Sequence, residues 1–391
     1  MPFLSEPQTL LLACARGIAP FLSQELQTLG YPARSTLDTG IEVRGTFRDA
    51  LRLNLLLRTA NRVLLELSRF QAATAEDLYA KLSDVPWEDL IPEDGFFTVT
   101  SFVNTAAIRD SRFVNVKCKD AIADRIRARQ GRRPDSGNER TGAVVFLYWN
   151  QRDVRVYLDT SGESLSRRGY RKNPMDAPMQ ETLAAAVVMA TGWNPETPFV
   201  NPMCGSGTLA IEAALLASGR APGSLRENFG FMHVKGYQAG DWQDLRAEAL
   251  AGPAPATPPR VIASDIRPQA VKAARQNAQL AGVEDAIEFH VCDFAATPIP
   301  PEPGVIVLNP EYGNRLGSDD DLFPLYRWIG DFFKQKCKGH TGFVFTGNLD
   351  LAKQVGLRSA KRTLFYNSRI ECRLLEFPLY DGSHRKKSAA R

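Results

Sequence analysis

The chain has 391 residues, 44% of them apolar, which is enough for two or three domains and a sizeable core. No apolar run approaches the roughly 20 residues of a membrane helix, and "MPFLSEPQTLLLACARG" lacks the basic start of a secretory signal, so a cytoplasmic protein is expected. The net charge of +4 does not by itself imply nucleic acid; six scattered cysteines with no C-x-x-C pair and four histidines without ligand spacing imply neither disulfides nor zinc, so a metal-free mechanism is expected.

In chain order, "TLLLACA" reads as a strand, "IAPFLSQELQTLG" as a helix and "TGIEVRG" as a strand. "TFRDALRLNLLLRTANRVLLEL" reads as a helical stretch, completing a small α+β unit. A second α+β unit follows, with the β-rich "GFFTVTSFVNT", the basic helix "RFVNVKCKDAIADRIRARQ", and two strands around a turn at "NQRD". Between Arg112 and Arg133 stand eight basic residues and two acids. The basic set includes Arg125, Arg127, Arg129, Arg132 and Arg133. A second cluster, "SRRGYRK", carries Arg167, Arg168 and Arg171. A single charge run is equally well a solvated helix face. Two runs in one half, with Phe113 and Tyr170 interleaved, point to a phosphate-backbone partner, that is, RNA or DNA.

"SGESLSRRGYRKNPMDAP" reads as a linker. Beyond it strands alternate with helices: "PFVNP", "RVIASD", "IEFHVCD", "GVIVLNP" and "TGFVFTGN", then "KRTLFYNS" and "IECRLLEFPLY". Short apolar runs with intervening helices predict a parallel sheet covered on both faces. The segment from about 218 to 259 reads as an insertion or long connection.

Three strand ends carry chemistry. "NPMCGSGT", Asn201 to Thr208, places Gly205 and Gly207 where a tight turn and close ligand approach need them, and the helix start behind them suits an anion or carboxylate. It lacks the order G-x-G-x-x-G and the lysine of a P-loop. Asp265 is placed for ribose hydroxyls, or as a helix cap before Pro268. Asp293 is placed for an adenine amine beside the Phe294 amide, or as a turn residue. In succession along one parallel sheet they point to an adenosine-bearing ligand. The fourth end, "VLNPEYGNRL", offers an amide, a proline carbonyl and an aromatic ring; Asn, Pro and Gly also simply favour turns.

"NPMCGSGTLAIEAAL", "SDIRPQAV" and "NPEYGNRL", with "RFVNVKCKDAIADRIR" and "DTSGESLSRRGYR…APMQETLAAA", resemble the THUMP-containing S-adenosylmethionine-dependent RNA guanine-N(2) methyltransferases, in particular the bacterial 23S ribosomal RNA enzymes in a form with one catalytic domain. The resemblance covers nearly the whole chain. It implies an α/β fold: a ferredoxin-like domain at 1–64, a THUMP RNA-binding domain at 65–160, a linker at 161–178, a Rossmann-like class I methyltransferase domain at 179–380 whose last strand is antiparallel, and a basic tail at 381–391.

By the same resemblance, Asn201, Cys204, Gly205 and Gly207 lie at the methionine part of the cofactor, and Asp265 holds its ribose. Ile266 lies against the adenine, whose edge Asp293 and Phe294 read, while Gln180 and Thr182 add to the pocket. Asn309 and Pro310 hold a guanine amine and Tyr312 stacks on the base. The family commonly has Asp where this chain has Asn201, and proline where it has Glu311, so a carboxylate stands near the site or faces solvent. The implied partner is ribosomal RNA. The same chemistry on transfer RNA, and a non-catalytic RNA-binding or ribosome-assembly factor, are the competing expectations.

Overall fold

The computed structural model describes residues 4, 6–106, 108, 110–172, 179–251, 260–312 and 319–380; the expected basic tail lies outside them. The chain divides into two compact units, residues 1–168 with 221–252, and 169–220 with 253–391. The helices are α1 (Ala19–Leu29), α2 (Phe47–Leu56), α3 (Ala75–Ser83), α4 (Ser111–Gln130), α5 (Glu181–Ala190), α6 (Thr208–Ala217), α7 (Ala239–Leu250), α8 (Pro268–Ala281), α9 (Asp319–Lys336) and α10 (Leu349–Lys353). Among the described residues, no helix is long and apolar enough to cross a membrane.

In the first unit one sheet joins β1 (Gln8–Ala13), β2 (Ser35–Leu37), β3 (Gly40–Gly45), β4 (Arg62–Gln71), β5 (Phe96–Asn104), β6 (Asp135–Gly137), β7 (Ala143–Asn150) and β8 (Asp153–Asp159), in the order β2-β3-β1-β4-β8-β7-β5-β6. The stretch read as one helix is a helix and a strand. A capping box opens α2, with Thr46 N–H donating to Asp49 Oδ2 at 2.7 Å and Asp49 N–H to Thr46 Oγ1 at 3.2 Å. Leu57 turns extended and ends it. "RVLLEL" then enters β4, paired antiparallel with both β1 and β8. Val63, Leu64 and Leu65 are all buried there, and a run buried on both faces carries no period that separates strand from helix. Because β4 crosses the expected boundary at 64/65, the two N-terminal domains share one continuous sheet.

Of the segment read as an insertion, about 218 to 259, residues 221–252 belong to this first unit. Its anchor is Arg226, which donates to the carbonyls of Ser161, Glu163, Ser164 and Asn228 at 3.0–3.3 Å and lies 4.6 Å from the Phe229 ring centroid. Burial pushes its guanidinium down to about 10. Phe229, Phe231 and Trp242 close an aromatic cluster around it, with centroids 4.9–5.1 Å apart. Residues 161–168, read as linker, are therefore seated rather than free: their carbonyls are the acceptors this cation needs.

The second unit holds β9 (Phe199–Pro202), β10 (Val261–Asp265), β11 (Ile287–Val291), β12 (Val305–Leu308), β13 (Thr341–Thr346), β14 (Lys361–Asn367) and β15 (Ile370–Pro378), in the order β11-β10-β9-β12-β13-β15-β14. Its described pairs are parallel except those of β15, which runs antiparallel to β13 and β14. This is the class I methyltransferase arrangement. Val200, Ile262, Ile306, Leu308 and Val344 pack beneath Tyr326, Ile329, Phe332 and Phe333 of α9, each buried side chain contributing about 1.5–3 kcal/mol.

A methyl group at Gly230 would collide with the Asp159 carbonyl oxygen and come within 3.0 Å of Gly162 N. Gly230→Ala is expected to lower the unfolding free energy by about 1–3 kcal/mol, measured by urea denaturation of the whole chain. An unchanged midpoint would show that the segment from 221 is not seated on the 159–164 loop.

Candidate active site at the carboxyl edge of the second sheet

The chain order of the strands reverses between β9 and β12, and open α/β sheets bind ligands at such a switch point. The two strands pair only at Phe199↔Val305 and Val200↔Ile306. One step further, the Asn201 side chain spans the gap, donating through Nδ2 to the Val307 carbonyl at 2.8 Å. Two buried acceptors remain there without partners among the described residues: Asn201 Oδ1 and Asn309 Oδ1. Each would cost about 1–3 kcal/mol if never satisfied.

The glycine turn follows β9. Met203, Gly205 and Gly207 all take positive φ, at 59°, 56° and 84°. At Gly207 a Cβ would sit 2.9 Å from the Ala274 Cβ, so this glycine lets α8 approach. At Gly205 a Cβ would meet nothing within 4 Å: one side of this backbone faces an open cradle. Asn277 Nδ2, fully buried on α8, braces the turn by donating to the Ser206 carbonyl at 3.1 Å. Sequence reading missed Asn277, although an amide on the alanine-lined buried face of α8 is a visible signal. Cys204 is buried, and burial with the neighbouring Asp265 charge pushes its thiol up, so it is no nucleophile.

Asp265 is spent first on the turn itself. Its Oδ2 accepts from Gly205 N–H at 3.0 Å, and its Oδ1 from Arg267 N–H at 3.0 Å, with Arg267 Nε at 3.3 Å. Ile266 beside it is 64% exposed, a flat apolar surface at the strand end. Asp293 does what a turn residue does, accepting from Ala295 N–H at 2.8 Å through Oδ1. Phe294 is buried edge-on against Trp328 and Phe332. Ser264 and Thr297, both buried and 2.6 Å apart through their hydroxyls, join the end of β10 to the turn that follows β11. Gln180 is exposed at the head of α5. Thr182, expected with it at the cofactor pocket, lies fully buried in α5.

Asn309 follows β12 directly, with Pro310 buried behind it. Glu311 is exposed, while its carbonyl accepts from Tyr326 Oη at 3.3 Å. Tyr312 is fixed at its far end: Oη accepts from Asn367 Nδ2 at 3.0 Å and from the Cys372 thiol at 3.6 Å. Burial holds the phenol far above its ordinary pKa, so it stays neutral. Gly347 lies under the ring, where a Cβ would be 2.7 Å from Tyr312 Cδ2.

The eight arginines of the basic runs that were expected to contact RNA divide by environment. Arg127, Arg129, Arg132 and Arg133 are exposed around the end of α4, and Arg167 is 76% exposed although paired with Glu163 at 3.0 Å. Arg133 pairs with Asp120 at 3.1 Å. The other three, also expected as RNA contacts, are engaged within the protein. Arg125 forks onto Glu88 at 2.8 and 2.9 Å and donates to the Ser83 carbonyl at 2.7 Å, tying α4 to the end of α3. Arg168 is 1% exposed and donates to the carbonyls of Leu165 and Arg58. Arg171 donates to the Met179 carbonyl at 2.7 Å and lies 3.2 Å from the buried Glu181 carboxylate. Tyr170, also buried, donates to Glu212 at 3.0 Å.

The family model for the RMKL-like methyltransferase domain matches residues 168–376, that for the RlmL ferredoxin-like domain matches 9–64, and that for the THUMP domain 72–147. A ribosomal RNA large subunit methyltransferase K/L from Syntrophotalea carbinolica is 37% identical over 387 residues, covering 96% of this chain and 54% of the relative. One from Methylococcus capsulatus is 38% identical over 373 residues, covering 93% and 50%. The chain spans about half the length of the curated relatives it matches. Among solved structures, SMU.472 complexed with SAH superposes with a TM-score of 0.87 at 27% identity, covering 97% of this chain and 100% of that one. A predicted N6-adenine-specific DNA methylase from Listeria monocytogenes gives 0.86 at 30%, covering 96% and 97%. With its sheet order, glycine turn and matched domains in place, this chain belongs to the RMKL-like methyltransferase family and carries a ferredoxin-like and a THUMP domain ahead of its methyltransferase domain.

Proposed function

We propose that the chain transfers a methyl group from S-adenosylmethionine to the exocyclic amine of a guanine in RNA, in the cytoplasm, with 23S ribosomal RNA as the acceptor. The observation that carries this reading is the buried, partnerless Oδ1 of Asn309 at the switch point. An acceptor kept dry and unsatisfied is an acceptor reserved for a ligand donor. The K/L relatives support ribosomal RNA as the substrate, and the THUMP domain supports RNA over DNA.

The residues at the edge fit the cofactor. The open side of Gly205 gives the methionine portion room against backbone. Asp265 is already fixed by Gly205 and Arg267 with its carboxylate at the strand end, for the ribose hydroxyls. The exposed Ile266 lies against the adenine, with Asp293 and the Phe294 amide at its edge. When bound, S-adenosylmethionine supplies an electrophilic methyl on a sulfonium. Asn201 adds no charge of its own at this edge, and its amide ties β9 to β12.

The acceptor amine of guanine is weakly nucleophilic because its lone pair is delocalised into the ring. Asn309 Oδ1 and the Pro310 carbonyl accept its two N–H groups, which turns the lone pair toward the donor. The same two oxygens stabilise the positive charge that grows on nitrogen. One proton then leaves to water. Tyr312 stacks on the extruded base. The exposed arginines around the end of α4 contact phosphates.

Three outcomes test this reading. Asn309→Ala is expected to cut methylation of ribosomal RNA, taken from a strain lacking the gene, by about 10²–10³-fold while calorimetric affinity for S-adenosylmethionine stays within a few-fold. Full activity in that variant removes the assignment. Gly205→Val fills the cradle: its cofactor affinity should fall at least tenfold, measured by calorimetry, while the left-handed φ of 56° costs about 1–2 kcal/mol of stability. Replacing Arg127 and Arg132 together by Gln should reduce the slope of log K for RNA against log salt by about 0.7–0.9 for each phosphate left without its arginine. Arg125→Gln should instead lower the melting temperature and leave that slope unchanged.

A further inference from the structure

The turn between β14 and β15 comes back to the catalytic loop. It is a tight turn, with Ser368 at a φ of 59° and Asn367 paired with Ile370. From it, Asn367 Nδ2 donates to Tyr312 Oη at 3.0 Å, and Cys372, fully buried on β15, places its thiol 3.6 Å from the same oxygen. Gly347, just past β13, forms the floor: a Cβ there would lie 2.7 Å from Tyr312 Cδ2 and 2.8 Å from Ile370 Cγ2. The Phe345 ring meets the Tyr312 ring edge-on at 6.1 Å. The ring is thus held at its hydroxyl end, below and at one edge, by elements more than thirty residues away in sequence.

A phenol free to swing would lose rotamer freedom each time a base stacked on it. Tying the hydroxyl removes that cost before RNA arrives. A tyrosine also has a reason to stand here in place of phenylalanine, since stacking alone needs no hydroxyl. We propose that Asn367 is a positioning residue: it holds the Tyr312 ring in its base-stacking orientation through the Nδ2–Oη hydrogen bond, so that the β14–β15 turn is part of the acceptor-base site. This rests on the reading of Asn309-Pro310-Glu311-Tyr312 as the catalytic turn.

The test measures kcat and KM for RNA on the same ribosomal RNA, with S-adenosylmethionine affinity by calorimetry and melting temperature alongside. Asn367→Ala is expected to lower kcat/KM for RNA about tenfold, chiefly through KM, with cofactor affinity within twofold. Tyr312→Phe, which also loses the Cys372 contact, should be at least as impaired, and the double variant should be no worse than Tyr312→Phe alone, because that variant already lacks the bond. Asn367→Asp, which accepts from Oη where the amide donated, should restore most of the loss. Wild-type kinetics in Asn367→Ala, multiplying effects in the double variant, or Asn367→Asp as weak as Asn367→Ala would each overturn the proposal. Asn309→Ala separates the two levels. If it is inactive while Asn367→Ala is unimpaired, only the positioning role falls. If it is fully active, the catalytic reading falls with it.

Discussion

Two residues of pairing are all that joins β9 to β12 before the strands part. Beyond that point each backbone must find other partners or meet water. The Asn201 amide provides the partner for Val307 and ties the two strands where their backbone pairing stops. The other groups at this edge are arranged around that tie. The glycine turn leaves β9 into the opening, Asp265 reaches across from β10 to hold the turn's Gly205 amide, and Asn309 enters from β12 with its oxygen unsatisfied. A sheet with full pairing at this edge would have no space for a ligand and no reason for a buried amide oxygen without a partner.

Much of this was legible in the sequence because strand ends in a parallel sheet are marked twice, by an apolar run that stops and by the residue that stops it. "NPMCGSGT", "IASD" and "VLNP" each carry both marks, and the structure brings all three to one edge. The braces were less legible. Tyr326, Asn367 and Thr297 act through contacts that no local pattern encodes, since each partner lies 15 or more residues away. "RVLLEL" misled for the opposite reason: its apolar side chains are covered on both faces of β4, so neither the helical nor the strand period survived in it. The aromatic segment from 221 gave composition but no destination, because what fixes it is a buried cation gathering carbonyls from a loop sixty residues earlier.

Positive charge in this chain serves two purposes that composition cannot separate. Arg125, Arg168, Arg171 and Arg226 are buried or nearly so, and their donors are matched to carbonyls or to one carboxylate. The guanidinium suits this work because its five N–H groups form a rigid fork that can satisfy several acceptors at once. Arg127 and Arg132 have no acidic partner among the described residues and stand in solvent at the end of α4. Sequence reading grouped all of these basic residues except Arg226 as one signal. Of the eight arginines expected to contact RNA, five are exposed, four of them around the end of α4.

The turn proposed to be catalytic raises the question of rigidity. The resemblance leads one to expect a second proline where this chain has Glu311, and a second proline would fix φ at that position by covalent geometry. Here φ at 311 is not fixed by a ring. The constraint comes from α9, where the buried Tyr326 hydroxyl lies 3.3 Å from the Glu311 carbonyl and 2.8 Å from Thr346 Oγ1. The next residue, Tyr312, is held in turn by Asn367 and Cys372. Two phenols tied at opposite ends of two consecutive residues limit the same backbone that a ring would limit. The Glu311 side chain is then released to solvent and carries its charge away from the buried face of the turn. Order at this site is thus supplied by hydrogen bonds from the far half of the domain, which makes the geometry of Asn309 depend on the packing of α9 and the last two strands.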